Sequence, residues 1–470
     1  MAKIYEFHAR YSLYLKPDFA QMEAIDFLTG KEKQPPKSWQ ELSEVSDPSA
    51  RLSLLTQAII TAYKDYSRVG RRRDAGLLGS LGRLEQYYEE QYNNFLSPLC
   101  LNPVIPDISM FPQGSWAVNF NFKLKKPYIS RDDTDFYIID NPVRKEWVFK
   151  MPYIAASQWK GAMRASMVKQ LVEKADSLLD EEFAKRRFRL ALMFGDEKGE
   201  GEEKIKGLAE YLDNEKPSAA SLYRKKILDF FHSENIELPS HAGWLCFYPT
   251  YFTRIGLEVI NPHNRGTGAG AQPIYFECVP SGAEGGFVLL YVPLCRTGED
   301  RDTIKNHAIL DLQLIAHGIS ALMTQFGFGS KTSGGFGLAE DFVSGGFVAL
   351  DVEGIGDNRD VTHQKCEIPE KFKKYVNDDG TVKVEFCGSG ESGLLSNKEF
   401  GERKKAKGWN STEFQEFRNW HKVHGEGIVK EKRGMKGDGR RKGLEFKNFE
   451  ELKNSINFLA KKIIGEDGFA

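Results

Sequence analysis

The chain has 470 residues, 41% of them apolar, with 65 Lys and Arg against 66 Asp and Glu, a net charge of −1. That length holds two or three ordinary domains, or one domain with long insertions, and the apolar content suits a globular protein with a substantial core. Near-neutral charge excludes a global polycation, so any nucleic-acid surface must come from local clusters.

The six cysteines (Cys100, Cys246, Cys278, Cys295, Cys366 and Cys387) lie far apart with no C-x-x-C pair. This argues against a zinc ribbon or a disulfide framework and fits a reducing cytoplasm. No run of 18 apolar residues and no signal-type N-terminus occurs, so a cytoplasmic protein without a membrane partner is expected.

Residues 1–15 alternate as a strand would, through Ile4, Phe7, Tyr11, Leu13 and Leu15. Amphipathic helices are predicted over 52–66 and 79–95, flanking the arginine run Arg71, Arg72 and Arg73, which is either a solvated loop or a phosphate clamp. Pro98, Pro103, Pro106 and Pro112 then mark an irregular connector, which closes an N-terminal region at 1–112. A main domain is expected over 113–351, beginning with a clean strand at 116–124.

Further along, helices are predicted over 157–175 and on to about 194, then a charged helical insertion at 196–240. Strands follow at 244–251, 273–279 and 286–293, a long helix at 304–326, and a last strand near 342–351. A glycine-rich stretch at 265–270 has few means of packing itself. Strand, helix, strand, strand, helix, strand is the split βαβ order, so the expected class is α+β with a ferredoxin-like (RRM-like) core. From 352 to 470 the chain is more polar. Positions 401–450 hold 14 Lys and Arg against 8 Asp and Glu, including the glycine-spaced KEKRGMKGDGRRKG, before a closing helix at 449–464.

Two stretches carry chemistry. Asp140-Asn141-Pro142 cannot continue a helix or a sheet ladder, which puts Asp140 on a loop. A helix begins near Ser157, with Lys160, Gly161 and Arg164 in its first turns. Free N–H groups, a hydroxyl and two cations there make a phosphate site, although Lys160 and Arg164 could equally pair with carboxylates.

The second stretch, FGFGSKTSGGFG at 326–337, places Gly327, Gly329, Gly335 and Gly337 so that backbone N–H groups can approach phosphates. Ser330, Lys331, Thr332 and Ser333 supply donors. Its spacing fails the GxxxxGK[ST] pattern, which argues against an NTPase. Phe328 and Phe336 either pack beneath the loop or stack on bases.

The run Asp-Asn-Pro-Val, then Pro-Tyr-Ile-x-x-Ser-x-x-Lys-Gly-x-x-Arg, resembles the RAMP superfamily of CRISPR-associated proteins. The likeness is strongest to Cas-seven-like backbone subunits of type III RNA-targeting effector complexes. The 326–337 loop and the 258–287 segment (EVINPHNRGTGAGAQPIYFECVPSGAEGGF) agree with it, so the likeness covers about half the chain. Ala155-Ala156 departs from the Pro-Gly or Pro-Ala of many relatives, which should alter the turn rather than the chemistry.

The resemblance implies a role in antiviral defence as part of a ribonucleoprotein. It implies a CRISPR guide RNA along the glycine-rich loop, a base-paired target RNA, and contacts with other RAMP subunits and the large subunit. It further implies that Asp140 cleaves the target as a metal-dependent endoribonuclease, holding Mg²⁺ or Mn²⁺; Asp132, Asp133 and Asp135, close by in sequence, either assist with the metal or, as the better reading, form a solvated charge run. Two other readings stay open. One is a non-catalytic scaffold or capping subunit; the other is a guide-precursor-processing RAMP endonuclease that uses His263.

Overall fold

Strand β1 (Trp116–Leu124) runs through the middle of the main sheet of the computed structural model. The structure describes residues 6–70, 76–99, 101, 103–130, 137–197, 199, 205–233, 238–261, 266, 270, 273–296, 298–350, 370–377, 381–388, 394–395, 399–401, 413–418, 420–421 and 443–465. Two units form: residues 1–353 together with 443–470, and residues 354–442.

β1 is apolar at alternate positions, and its neighbours meet it on both edges. β7 (Glu284–Tyr291) pairs with it antiparallel from Trp116↔Tyr291 to Lys123↔Glu284, and β8 (Ala339–Leu350) pairs antiparallel on the other side. β3 (Leu245–Phe247) lies outside β7 and β9 (Gly443–Asn448) outside β8, giving the order β3-β7-β1-β8-β9. The architecture is mixed helix and antiparallel sheet, an α+β protein.

Helices α6 (Ala156–Glu173), α10 (Arg301–Ala321) and α11 (Phe449–Ile464) complete the core of the larger unit. Trp116 stacks on Tyr291 at 4.7 Å, and Phe120 meets Phe287 at 4.9 Å and Phe449 at 5.2 Å. Gly318 lets α10 approach α6 closely, since a Cβ there would sit 2.7 Å from Met167. The proline-rich connector is also packed: Ile105 and Ile108 are buried against Ala117, Leu290 and Ala349. Two small pairings stand beside the main sheet, β2 (Tyr153–Ile154) with β4 (Thr250–Tyr251), and β5 (Gly256–Ile260) with β6 (Ile274–Cys278).

The expected strand over 1–15 is not formed in its described part. Residues Phe7–Arg10 make a helical turn, α1, because the Glu6 carboxylate accepts the N–H groups of His8 and Ala9 as a cap. Local capping outweighs weak alternation. The predicted helix over 52–66 is broken into α3 (Pro48–Leu55), a 3-10 turn at Thr56–Ile60 and α4 (Lys64–Val69), and α2 (Asp18–Thr29) precedes them. α5 (Gly76–Gln91) then follows.

The expected 196–240 insertion is helical, as α8 (Gly207–Glu215) and α9 (Pro217–Phe230), packed on α7 (Asp180–Phe194). The boundary at 352 needs a second cut. The last segment returns to the sheet, where Gly443 to Phe446 pair with Ala349 to Gly346 and α11 packs along α10. Residues 354–442 are therefore an insertion between adjacent strands. Its described part has its own apolar centre, with Phe372, Tyr375, Phe386, Phe414 and Phe417 buried. The basic run 430–442 lies outside the described residues, as do Arg71, Arg72, Arg73, Asp132, Asp133, Asp135 and His263. Among the described residues, no helix is long and apolar enough to cross a membrane.

A polar knot joins α7 to α10. Arg189 donates to Asp311 at 2.6 Å and to His307 Nδ1 at 2.6 Å, while the Tyr291 hydroxyl donates to Asp311 at 2.7 Å. Burial, then the nearby cations Arg296 and Arg189, push the His307 pKa down to about 3. Its folded pKa thus lies below the unfolded value, so the unfolded chain binds the proton first. Stability is full above about pH 6.5 and falls as pH drops from there towards 3, by up to about 1.4 kcal/mol per pH unit. His307→Gln should flatten this part of the pH–stability curve in urea titrations; an unchanged slope would rule out His307 as its source.

Candidate nucleic-acid interface

The glycine-rich stretch starts where α10 ends in a π turn (Leu322–Phe326), and Gly327 (φ 71°) turns the chain out of it. Phe328 then plunges inward. It is 1% exposed, with its ring 4.6 Å from Trp159 and 5.7 Å from Phe122, so it anchors the loop rather than facing a base. Phe336 packs against the small apolar cluster of Ile129, Phe276 and Cys278.

The loop is stitched to the segment after β1. Ser330 N–H donates to the Ile129 carbonyl at 2.7 Å, and Gly337 N–H donates to the Pro127 carbonyl at 2.8 Å. Glycine is required at 337, where φ is 70° and a Cβ would fall 1.9 Å from the Phe328 carbonyl oxygen. These anchors leave Gly329, Lys331 and Ser333 exposed and Ser330, Thr332 and Gly335 half-buried. The N–H groups of Lys331, Thr332 and Ser333 have no acceptor among the described residues. Lys331 sits at φ 58°, with its Nζ 5.0 Å from the centre of the Phe276 ring and no carboxylate partner among the described residues.

α6 begins beside this loop. Its N-cap is Ala155, two residues before Ser157, so Ser157 lies inside the first turn and no side chain caps the helix. Tyr128 donates to Gln158 in the first turn at 3.1 Å, and the same Tyr128 ring lies against Gly329. Ser157 is exposed and Lys160 half-buried, with no partner for either side chain among the described residues. Arg164 is committed elsewhere: its guanidinium donates to the carbonyls of Gly195 (3.1 Å) and Asp196 (2.8 Å). Ser157 and Lys160 therefore share the start of the helix with the glycine-rich loop, whereas Arg164 fastens α6 to the end of α7.

Asp140 is on a loop, as its Asn-Pro context requires, and its side chain is 58% exposed. One oxygen, Oδ1, takes a 2.7 Å ion pair from Arg68 Nη2, a guanidinium only 6% exposed that also donates through Nε to the Ile138 carbonyl. The neighbouring Asn141 bridges to Phe276 in parallel fashion, which places the Asp140 loop and Lys331 at the same residue of β6.

Glu277, fully buried, holds that loop in place. It accepts from the Tyr137 hydroxyl, from the Val143 N–H at 3.1 Å and from the Lys145 ammonium, while its own N–H donates to the Asn141 carbonyl at 3.0 Å. Arg144 N–H donates to Ser130 Oγ at 2.7 Å, and the Arg144 guanidinium lies 5.6 Å from the Tyr153 ring just ahead of α6. Arg68, Glu277 and Arg144 were not legible as site residues in the sequence. Each is a lone charge in an unremarkable context, and only the fold supplies its partners.

No group of three or more His, Cys, Asp or Glu suited to a metal ion occurs among the described residues. Asp140 offers one further oxygen, Oδ2. That matches Mg²⁺ or Mn²⁺ shared with phosphate oxygens and water, not an ion enclosed by the protein.

No family model matches the chain, and no curated protein matches it. Among solved structures, it is similar to a chain of a type III-B Cmr-beta complex bound to cognate target RNA, at 14% identity and a TM-score of 0.33 over 71% of this chain and 99% of that one. A chain of a CRISPR RNA-guided surveillance complex before nicking matches at 14% identity and a TM-score of 0.27, over 50% of this chain and 78% of that one. Cmr6 from Pyrococcus furiosus matches at 15% identity and a TM-score of 0.23, over 48% of this chain and 99% of that one. Scores this low carry nothing to individual residues.

Proposed function

We propose that this chain is a guide-RNA-binding subunit of a type III CRISPR ribonucleoprotein, with a ferredoxin-like RAMP core, and that it cleaves base-paired target RNA at Asp140. The observation that carries the reading is that the loop of exposed Asp140 and the Lys331 side chain both reach Phe276, the first through the Asn141 backbone and the second over the ring. Supporting it, the sheet order β3-β7-β1-β8, with α6 between β1 and β3 and α10 between β7 and β8, is the order of a split βαβ core. Of the motif residues behind the family likeness, this reading uses Asp140, Ser157, Lys160 and the 327–337 loop, whereas Arg164 fastens α6 to the end of α7.

The chemistry follows from the placement. Lys331, the loop N–H groups and the start of α6 hold the sugar-phosphate backbone and exclude misalignment, without reading bases. Arg68 fixes the Asp140 carboxylate, whose Oδ2 takes the proton from a ribose 2′-OH. The 2′ oxygen then bonds to the adjacent phosphorus as the P–O5′ bond breaks and the leaving O5′ takes a proton from solvent water, leaving a 2′,3′-cyclic phosphate and a 5′-hydroxyl end, while Asp140 returns its proton to solvent. When bound at Asp140, Mg²⁺ or Mn²⁺ would supply charge neutralisation at the phosphate and the leaving oxygen.

A non-catalytic scaffold is the second reading, favoured by the Arg68 pair itself, which gives Asp140 a structural use. RNA binding is tested by Lys331→Ala. Binding of unrelated RNA sequences should weaken to a similar extent, and the dependence of log K on log salt should become shallower by about one. Unchanged affinity and slope would remove the loop from the RNA path.

A further inference from the structure

The helices ahead of the sheet enclose a cavity of about 130 Å³ between α2, α3 and α5. Its walls are apolar, from Leu28, Leu52, Leu55 and Leu84, but two arginines, Arg51 and Arg83, also line it. Arg51 donates through Nε to the Val45 carbonyl at 2.8 Å, and its guanidinium lies 4.4 Å from the Phe27 ring centre. Arg83 makes no hydrogen bond or ion pair among the described residues, and it rests over Gly30, where any Cβ would overlap the guanidinium.

Among the described residues, neither arginine has a carboxylate partner. Burial lowers both guanidinium pKa values from their ordinary range, and at Arg51 the charge of Arg83 lowers it further, with no acid offsetting either. Gly30 ends α2, and a helix C-terminus offers only about half a negative charge. Two cations facing one half-buried apolar cavity are unfavourable unless an anion joins them.

We propose that this cavity binds a terminal phosphate, the doubly charged monoester of a nucleotide or of an RNA 5′ end. Charge selects that group, because two guanidiniums match a dianion, and a terminal phosphate carries nearly two charges where an internal phosphodiester carries one. The planar forks of arginine suit its oxygens in paired hydrogen bonds. Ser46 and Ser80 at the rim add hydroxyls, and the leucines accept a flat base or sugar edge.

Calorimetric titration of the full chain with adenosine 5′-monophosphate, adenosine and inorganic phosphate tests this. The monophosphate should bind at least about tenfold tighter than adenosine, and Arg51→Met or Arg83→Met should each remove about tenfold of that affinity. Equal binding of the monophosphate and adenosine, or no binding of either, overturns the site. Comparing 5′-phosphorylated with 5′-hydroxyl forms of one short oligoribonucleotide separates the sources: preference for the phosphorylated strand assigns a strand end, and binding of the mononucleotide alone assigns a free nucleotide. Thermal unfolding guards against misfolded variants. Without ligand, both methionine variants should melt at or above the parent temperature, because the repulsion is relieved, and should lose the shift that the monophosphate induces. Marked destabilisation of the unliganded variants would instead make the arginines structural and end the proposal.

Discussion

Asp140→Asn in the assembled ribonucleoprotein should lower cleavage at one target position by about 10²- to 10⁴-fold while leaving target binding unchanged. Asparagine is the informative replacement. Its amide oxygen still accepts from Arg68, now 2.7 Å from Oδ1, so the loop keeps its anchor, but the group can no longer take a proton. Alanine removes both features and would leave the buried Arg68, among the described residues, with the Ile138 carbonyl contact alone. If Asp140→Asn cleaves normally and Asp140→Ala merely destabilises, the scaffold reading stands. Loss of one product with binding intact supports catalysis.

The second large effect is expected at Glu277. Removing its carboxylate in Glu277→Ala takes the shared acceptor from the Tyr137 hydroxyl, the Val143 N–H and the Lys145 ammonium, and leaves the Lys145 charge, only 12% exposed, facing the Tyr137 oxygen at 3.1 Å in place of a carboxylate. Breaking one side of a buried ion pair costs about 3–5 kcal/mol, and the loss here falls on the loop that presents Asp140. Hydrogen exchange should therefore accelerate over 137–146 and 274–278 well before the main sheet opens. Cleavage should fall with it, although Glu277 touches no substrate. The double variant Glu277→Leu/Lys145→Met, which replaces the pair by apolar groups of similar size, should recover most of the protection. Protection and cleavage both at parent levels in Glu277→Ala would show that the loop is held by other contacts.

Much of the core was readable because its periodicities were strong. Predicted strand 116–124 coincides with Trp116–Leu124, and the closing helix 449–464 coincides with Phe449–Ile464. Both carry apolar residues at a spacing that only one secondary structure can bury. Readings failed where such periodicity was weak or interrupted. The first 15 residues alternate only loosely, and a single Glu6 cap was enough to form a helical turn.

The sequence alone determined that Asp140 lies on a loop, since proline two positions later forbids a ladder or helix there, and that Gly327, Gly329, Gly335 and Gly337 sit where backbone freedom is needed, which the structure shows as positive φ at all four. Tertiary structure decided what those two loops face. Arg68 is 72 residues from Asp140 and Glu277 is 134 residues from Val143, and no local pattern announces a contact between residues so far apart. It also decided that residues 443–448 pair with β8, because a six-residue strand gains its hydrogen bonds only from a partner the fold brings to it. Local backbone preference can place a functional residue on a loop, but only packing chooses its neighbours, because burial and ion pairing are energies of proximity in space rather than along the chain.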